Sequence, residues 1–381
     1  MTAGVVPVTG AWRPGDPPGR RRWFTAPGPL PLSGGEVLPG YRLAYETWGV
    51  PSAGGGNAVL VLHALTGDSH AAGPAGAGHP TPGWWDGVIG PGRALDTREL
   101  FVVAPNVLGG CQGSTGPAGP AADGRPWGSR FPRLSIRDTV VAEAALADEL
   151  GIREWALVLG GSMGGMRALE WAITFPNRVR RLLVLAACAA SGADQIAWTA
   201  AQLAAIRGDP DWLGGDYHLT GSGPRCGLGT ARRIAHTTYR SASELADRFG
   251  RTAQAGEDPH QGGRFAVESY LDHQAGKLAQ RFDAASYVLL SEAMNRHDVG
   301  RGRAGVAAAL RRIRAEVTVA GIDTDRLYPL QQQEELAAGI EGAGPVRVIS
   351  SRYGHDGFLL ETDQVGSLIS ELTSTVALST G

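Results

Sequence analysis

The chain has 381 residues, 43% hydrophobic and 19% charged, with 56 Gly and 24 Pro. That length holds one large α/β domain with an insertion, or two ordinary domains, and the balance excludes disordered and fibrous classes. The formal net charge is −2, and the absence of a basic stripe interleaved with aromatics argues against a nucleic-acid partner.

The three cysteines, Cys111, Cys188 and Cys226, form no C-x-x-C pair. Their odd number argues against a disulfide framework and for a reducing, cytoplasmic setting. No charged-then-apolar leader opens the sequence, and no run approaches the ~18 apolar residues that span a bilayer, so no membrane partner is expected. The Arg/Pro/Gly-rich stretch Arg13 to Pro31 reads as a loosely ordered, solvated arm.

In chain order, Arg42 to Trp48 alternates like a strand. Ala58 to Leu62 (AVLVL) and Leu100 to Ala104 (LFVVA) are short continuous apolar runs, the pattern of strands buried on both faces. Asp138 to Leu150 has helical spacing and stops at Gly151. Trp155 to Leu159 (WALVL) predicts a further buried strand, Met163 to Phe175 a helix ended by Pro176, and Arg181 to Ala187 another strand. From Ser191 to Arg303 the pattern turns polar and helical. Glu316 to Ala320 and Val346 to Ser350 restore the strand rhythm, and Leu368 to Val376 predicts a closing helix.

Buried strands alternating with helices imply an α/β fold with a mainly parallel central sheet covered on both faces. The predicted core comprises residues 1–190 and 305–381, with 1–22 as the loose arm, and residues 191–304 form a helical lid inserted into it. The small-residue loops Gly54 to Gly56 and Ala71 to Gly78 lack the Lys-Ser/Thr of a phosphate-binding loop.

Gly160-Gly161-Ser162-Met163-Gly164 matches G-x-S-x-G. The pattern alone is weak in a chain this rich in glycine; its context, a buried strand entering and an amphipathic helix leaving, strengthens it. Glycines are needed because the serine of such an elbow sits on a sharp strand-to-helix turn that exposes its hydroxyl as a nucleophile. The amide of Met163 then faces the acyl oxygen as one oxyanion donor. The second is the amide of Leu65, in the His63–Gly67 loop after an early strand. His63 itself reads as a loop-shaping residue.

The triad of such folds runs Ser, acid, His along the chain. Of nine histidines, His355 directly follows the last predicted strand, in Tyr353-Gly354-His355-Asp356-Gly357. The acid belongs after the preceding strand, where Asp323 and Asp325 are equally spaced candidates; a carboxylate there fixes the imidazole tautomer.

Several blocks occur together: NAVLVLHALTGDSH (57–70), GWWDGVIGPGRALD (83–96), NVLGGCQGSTGP (106–117), FPRLSIRD (131–138), GGSMGGMRALEW (160–171), ESYL (268–271), RFDAASY (281–287) and YGHDGFL (353–359). Their combination resembles the homoserine O-acetyltransferase family, α/β-hydrolase-fold acyltransferases of methionine biosynthesis. The likeness runs from about residue 40 to 363. It implies Ser162 as nucleophile, His355 as base and Asp325 as the orienting acid. It also implies Arg232, Asp356 and, more weakly, Tyr239 as ligands of the amino-acid substrate. A guanidinium grips the α-carboxylate of L-homoserine, and a carboxylate takes its ammonium. The resemblance further implies acetyl-CoA as co-substrate, no cofactor, no metal, and a homodimer formed through the lid helices. Ser114 stands where the family often has threonine. Succinyl-CoA or L-serine as substrates, a serine esterase, and an inactive binding protein on the same scaffold are the competing readings.

Overall fold

Strands that are apolar at every position must be covered on both faces. The computed structural model, which describes residues 8–374, meets that demand with an eight-stranded sheet. Its strands are β1 (Arg22–Thr25), β2 (Arg42–Trp48), β3 (Ala58–Leu62), β4 (Phe101–Pro105), β5 (Leu157–Gly161), β6 (Arg181–Leu185), β7 (Glu316–Ile322) and β8 (Arg347–Ile349). Their spatial order is β1-β2-β4-β3-β5-β6-β7-β8. β4 through β8 pair in parallel, whereas β2 runs antiparallel to β4 and β1 antiparallel to β2.

The helices are α1 (Ile136–Glu149), α2 (Met163–Thr174), α3 (Ala193–Arg207), α4 (Arg225–Tyr239), α5 (Ala242–Phe249), α6 (Ala266–Arg281), α7 (Ala284–Asn295), α8 (Val306–Leu310), α9 (Leu330–Gly339), α10 (Gly357–Leu360) and α11 (Thr362–Thr373). Because strand side chains alternate, each strand feeds two cores. Leu60, Leu62, Val158, Leu182 and Val184 pack with residues of α1, α2 and α9. Val59, Val61, Leu157, Leu159, Leu183 and Leu185 pack with Val365, Leu368 and Ile369 of α11. The chain between β6 and β7 supplies α3 to α8 and no strand to this sheet. All three cysteines are free, and among the described residues no helix is long and apolar enough to cross a membrane.

Most elements depart from the sequence pattern by no more than two residues at an end, and three departures are instructive. β5 starts two residues late, because Trp155 is engaged with Arg178 instead: its amide donates to the Arg178 carbonyl at 2.9 Å. The closing helix starts at Thr362, before the expected Leu368; the last two residues of that expectation, 375 and 376, lie outside the described residues.

The third departure corrects the loose arm, whose first seven residues also lie outside the described ones. Residues 13–20 are exposed, as expected of a solvated stretch, but the chain is tied down on either side of them. Thr9 Oγ1 donates to Asp283 at 2.8 Å, and the amide of Trp12 donates to the Cys111 carbonyl at 2.9 Å. The Arg21 side chain donates to Gln112 Oε1 at 3.0 Å and to the Gly78 carbonyl at 2.9 Å, and Arg22 opens β1. Composition suggested solvation, but these long-range backbone and side-chain partners satisfy the polar groups that water would otherwise have taken.

A buried ion pair joins the two central helices to the sheet. Arg167 of α2 donates through Nε to Glu143 Oε1 of α1 at 3.0 Å and through Nη1 to the His63 carbonyl at 3.2 Å. Trp171 Nε1 donates to the other Glu143 oxygen at 2.9 Å. Both charged side chains are essentially inaccessible, at 0% and 1% exposure. Removing one partner of such a pair costs about 3–5 kcal/mol, whereas replacing both with apolar residues costs much less. Glu143→Leu is therefore expected to lower stability by several kcal/mol, and Arg167→Met with Glu143→Leu to recover most of it, as read by urea midpoints of the two variants.

Candidate active site

β5 turns into α2 within one residue. At that turn Ser162 has φ 58° and ψ −124°, a conformation that costs a non-glycine residue about 1–3 kcal/mol. Its neighbours hold it there: the Ser162 amide donates to the Leu185 carbonyl and the Met166 amide to the Ser162 carbonyl, each at 3.0 Å. Two residues on, Gly164 passes so close to β3 that a Cβ would overlap the Leu62 carbonyl oxygen. That contact is the physical reason for the last glycine of G-x-S-x-G. Met163 opens α2, and the first amides of a helix have no partner within it.

The His63–Gly67 loop faces this helix start. His63 is fixed at both nitrogens: Nδ1 donates to the Ala64 carbonyl at 2.7 Å, and Nε2 accepts from the Val107 amide at 3.0 Å. Burial and the nearby Arg167 push the imidazolium down to about 3, so the ring is neutral. It shapes the loop that carries Leu65 and has no nitrogen left to move a proton.

β7 and β8 deliver the remaining pair. His355 Nδ1 donates to Asp325 Oδ2 at 2.6 Å, while Asp325 Oδ1 accepts from the amides of Leu327 and Tyr328 at 2.8 and 2.9 Å. The tautomer is thereby set with the lone pair on Nε2. Asp323 instead accepts from Ser350 Oγ at 2.9 Å and the Ser351 amide at 3.0 Å, tying β7 to the end of β8. The His355 ring sits among Tyr328, Phe358 and Tyr239, with centroids 5.1, 5.4 and 5.8 Å away. Phe358 also covers Gly161, where a Cβ would overlap its ring. The residue before Ser162 and the ring beside His355 are thus in contact, which brings both ends of the assembly to one place. Trp85 Nε1 pins this corner by donating to the Phe358 carbonyl at 3.1 Å.

The insertion adds charge beside it. Arg232 stands over the Tyr239 ring at 5.5 Å, and its Nη1 approaches Thr66 Oγ1 at 3.4 Å. Its Nε is buried with no hydrogen-bond partner. The adjacent Arg233 points elsewhere, to Asp272 at 2.9 Å. Burial raises the Asp356 carboxyl above the ordinary range, opposed by Arg232, His355 and Arg240. A cleft of about 200 Å³ opens alongside, lined by Thr66, Gly67, Asp68, Trp84, Arg232 and Arg281 among others. Ser114, by contrast, spends its hydroxyl on the scaffold: it donates to the Asn106 carbonyl at 2.6 Å and accepts from the Ala44 amide at 3.0 Å.

Two groups here had no assigned role in the sequence. Arg281 donates to the Thr66 carbonyl and to Asp68, at 2.9 and 2.8 Å, bracing the oxyanion loop from α6. Burial pushes the Asp68 carboxyl up, but Arg281, the His70 amide and Arg21 outweigh it and hold it at about 2. Nearby, Glu46, His70 and His79 offer donor atoms within 4.8 Å of one another. The two rings stack in parallel at 3.8 Å, so their lone pairs do not converge on one ion, and His79 Nε2 already accepts from the Arg20 amide at 3.0 Å. Within the trio His70 donates to Glu46 at 3.0 Å, and His79 stacks on His70. The Arg281 set joins the NAVLVLHALTGDSH and RFDAASY blocks, and His70 closes the first of them, a signal legible only as sequence clustering.

The sheet order and the elbow at its centre define an α/β-hydrolase-fold protein, and the family described as alpha/beta hydrolase fold matches residues 57–362. A homoserine O-acetyltransferase of Thermobifida fusca (strain YX) is 68% identical over 372 residues, 97% of this chain and 98% of the relative. The crystal structure of a homoserine O-acetyltransferase from Bacillus anthracis superposes with a TM-score of 0.84 at 24% identity, over 92% of this chain and 96% of that one. That of esterase E22 also gives 0.84, at 25% identity, over 92% and 99%. The chain belongs to the homoserine O-acetyltransferase family.

His236, beside Tyr239 and Tyr270 in the insertion, is pushed down to about 2 by burial and by Arg232 and Arg240. Its folded value lies below that of an unfolded histidine, so the unfolded chain binds the extra proton between the two. Stability is expected to fall as pH drops from about 6.5 toward 3, with His236 contributing up to ~1.4 kcal/mol per pH unit. Urea midpoints across that range should show a shallower slope for His236→Phe.

Proposed function

We propose that this protein is a homoserine O-acetyltransferase that works through an acetyl-serine intermediate, with Ser162, Asp325 and His355 as its catalytic residues. The observation that carries this reading is the convergence of Arg232 and Asp356 beside the Asp325–His355 pair, since an opposite-charge pair at the reacting centre suits an amino acid and is superfluous for hydrolysis.

In the first half-reaction His355 Nε2 takes the Ser162 proton as the oxygen attacks the thioester carbonyl of acetyl-CoA. The oxyanion is held by the amides of Leu65 and Met163, aided by the positive end of α2. Collapse breaks the C–S bond, CoA leaves as the thiol with the proton from His355, and acetyl-Ser162 remains. L-Homoserine then binds with its carboxylate on Arg232 and its ammonium on Asp356, and Tyr239 lines the space between Arg232 and His355. His355 takes the proton of its hydroxyl, which attacks the acetyl carbon. Ser162 recovers the proton as O-acetyl-L-homoserine departs. Residues 191–304 act as a lid that keeps water from the acyl-enzyme. The same segment mediates a homodimer, and the enzyme works in the cytoplasm in methionine biosynthesis. Acetyl-CoA is a co-substrate, and no cofactor or metal takes part.

Ser162→Ala is expected to remove essentially all turnover. Asp325→Asn should lose about 10⁴-fold in kcat through the wrong imidazole tautomer, whereas Asp323→Asn retains much of its activity; equal losses at the two aspartates, measured by steady-state kinetics, would refute the assignment. Arg232→Ala should raise the homoserine KM and spare acetyl-enzyme formation.

The likeness to esterase E22 favours a second reading, in which water deacylates the serine. CoA release from acetyl-CoA is expected to depend on homoserine beyond the first turnover. Mass spectrometry of the products, with L-homoserine and L-serine competing for acetyl-CoA and succinyl-CoA, identifies donor and acceptor; acceptor-independent release would favour the esterase.

A further inference from the structure

The junction between α4 and α5 lies flush against the loop that carries His355 and Asp356. Gly354 has φ 66°, and a Cβ on it would stand 2.8 Å from both the Ser241 amide nitrogen and the Tyr239 carbonyl oxygen. Ser241 Oγ donates to the Arg352 carbonyl and caps α5 through the Glu244 amide at 3.1 Å.

Arg240 is buried in this seam. Its Nε and Nη2 donate to Glu244 at 3.2 and 2.9 Å, its guanidinium lies 5.1 Å from the centre of the Tyr353 ring, and its Nη1 reaches Asp356 Oδ2 at 3.3 Å. Glu244 is itself buried, so the fork is fixed from the insertion side and offers one nitrogen to the core loop. The groups facing Asp356 are Arg232 and Arg240 from the insertion, His355 from its own loop, and the phenols of Tyr239 and Tyr270.

A binding site built from Arg232 and Asp356 has an inherent weakness: with no substrate present, the two opposite charges attract each other. If they paired, they would close the gap into which an amino acid must insert. Resting on the reading of Asp356 as the ammonium ligand, we propose that Arg240 is a positioning residue that restrains Asp356 against collapse onto Arg232. Nη1 holds Oδ2, which leaves Oδ1 for the ammonium. Glu244, which Arg248 also approaches at 3.5 Å, offsets part of the Arg240 charge and fixes the fork that steers Asp356.

The test uses the full-length enzyme and separates the two half-reactions. Arg240→Met with Glu244→Gln removes the pair without stranding a buried charge, and Arg240→Gln with Glu244→Gln does the same while keeping a donor at position 240. Both are expected to leave acetyl-enzyme formation from acetyl-CoA unchanged and to raise the homoserine KM about ten-fold, the effect of one charge-assisted hydrogen bond. With Arg240 gone, Asp356 holds its proton to higher pH, so the acid limb of kcat/KM for homoserine moves upward. Arg240→Lys should return that limb toward the wild-type position. An unmoved limb and unchanged KM in the double Gln variant, or an equal shift in the Lys variant, would overturn the proposal. Loss of both half-reactions together would do so as well, marking a role in packing alone. Asp356→Asn is the control: if its homoserine KM is that of the wild type, the acceptor-site reading falls; if it rises while the Arg240 variants stay normal, only the role of Arg240 falls.

Discussion

Three backbone segments cross within a few ångströms at the top of this sheet: the end of β3, the end of β5 and the start of α2. The Leu62 carbonyl occupies the space that a side chain at position 164 would need, and Ser162 is left in an unfavourable conformation between them. Strain of that size persists only where surrounding structure over-determines it. Here the determinants are the bonds to Leu185 and Met166 and the apolar packing on both sheet faces. The same crossing sets the start of α2 against the carbonyls of Leu62 and His63, so the elbow and the His63 loop are placed by one packing event.

The polar groups around this point are held in fixed states. His63 is neutral because its two nitrogens are spent on backbone and its surroundings penalise a charge. Arg167 spans Glu143 and the His63 carbonyl, so α1, α2 and the oxyanion loop share one buried ion pair. Arg281 repeats the device from the other side through Thr66 and Asp68. Such a preorganised frame needs little reorganisation as charge develops on a substrate, which is the main source of electrostatic catalysis. The insertion contributes at the same level: Arg232, Tyr239 and Arg240 reach the core loops directly.

Much of the fold was legible along the chain, because a strand buried on both faces is apolar at every position and a helix after it is periodic. Where the reading slipped, long-range partners were responsible. The N-terminal segment is polar and rich in Arg, Pro and Gly, yet Thr9, Trp12 and Arg21 find partners 90 or more residues away, which no local pattern encodes. Ser114 stands where the family often has threonine, and its hydroxyl serves the backbone of β2 and the loop after β4.

The sequence by itself determined the elbow, the order of the chemical residue types and the family, since these depend on residue identity and near-neighbour spacing. Spacing alone left open which of two neighbouring groups faces which partner, and the partners themselves came only from the tertiary structure. Asp325 meets His355 while Asp323 ties two strand ends, and Arg232 turns inward while Arg233 pairs with Asp272. The physical reason is that one or two positions along a turn or helix reverse the direction of a side chain, and that direction acquires meaning only when distant segments supply the partner.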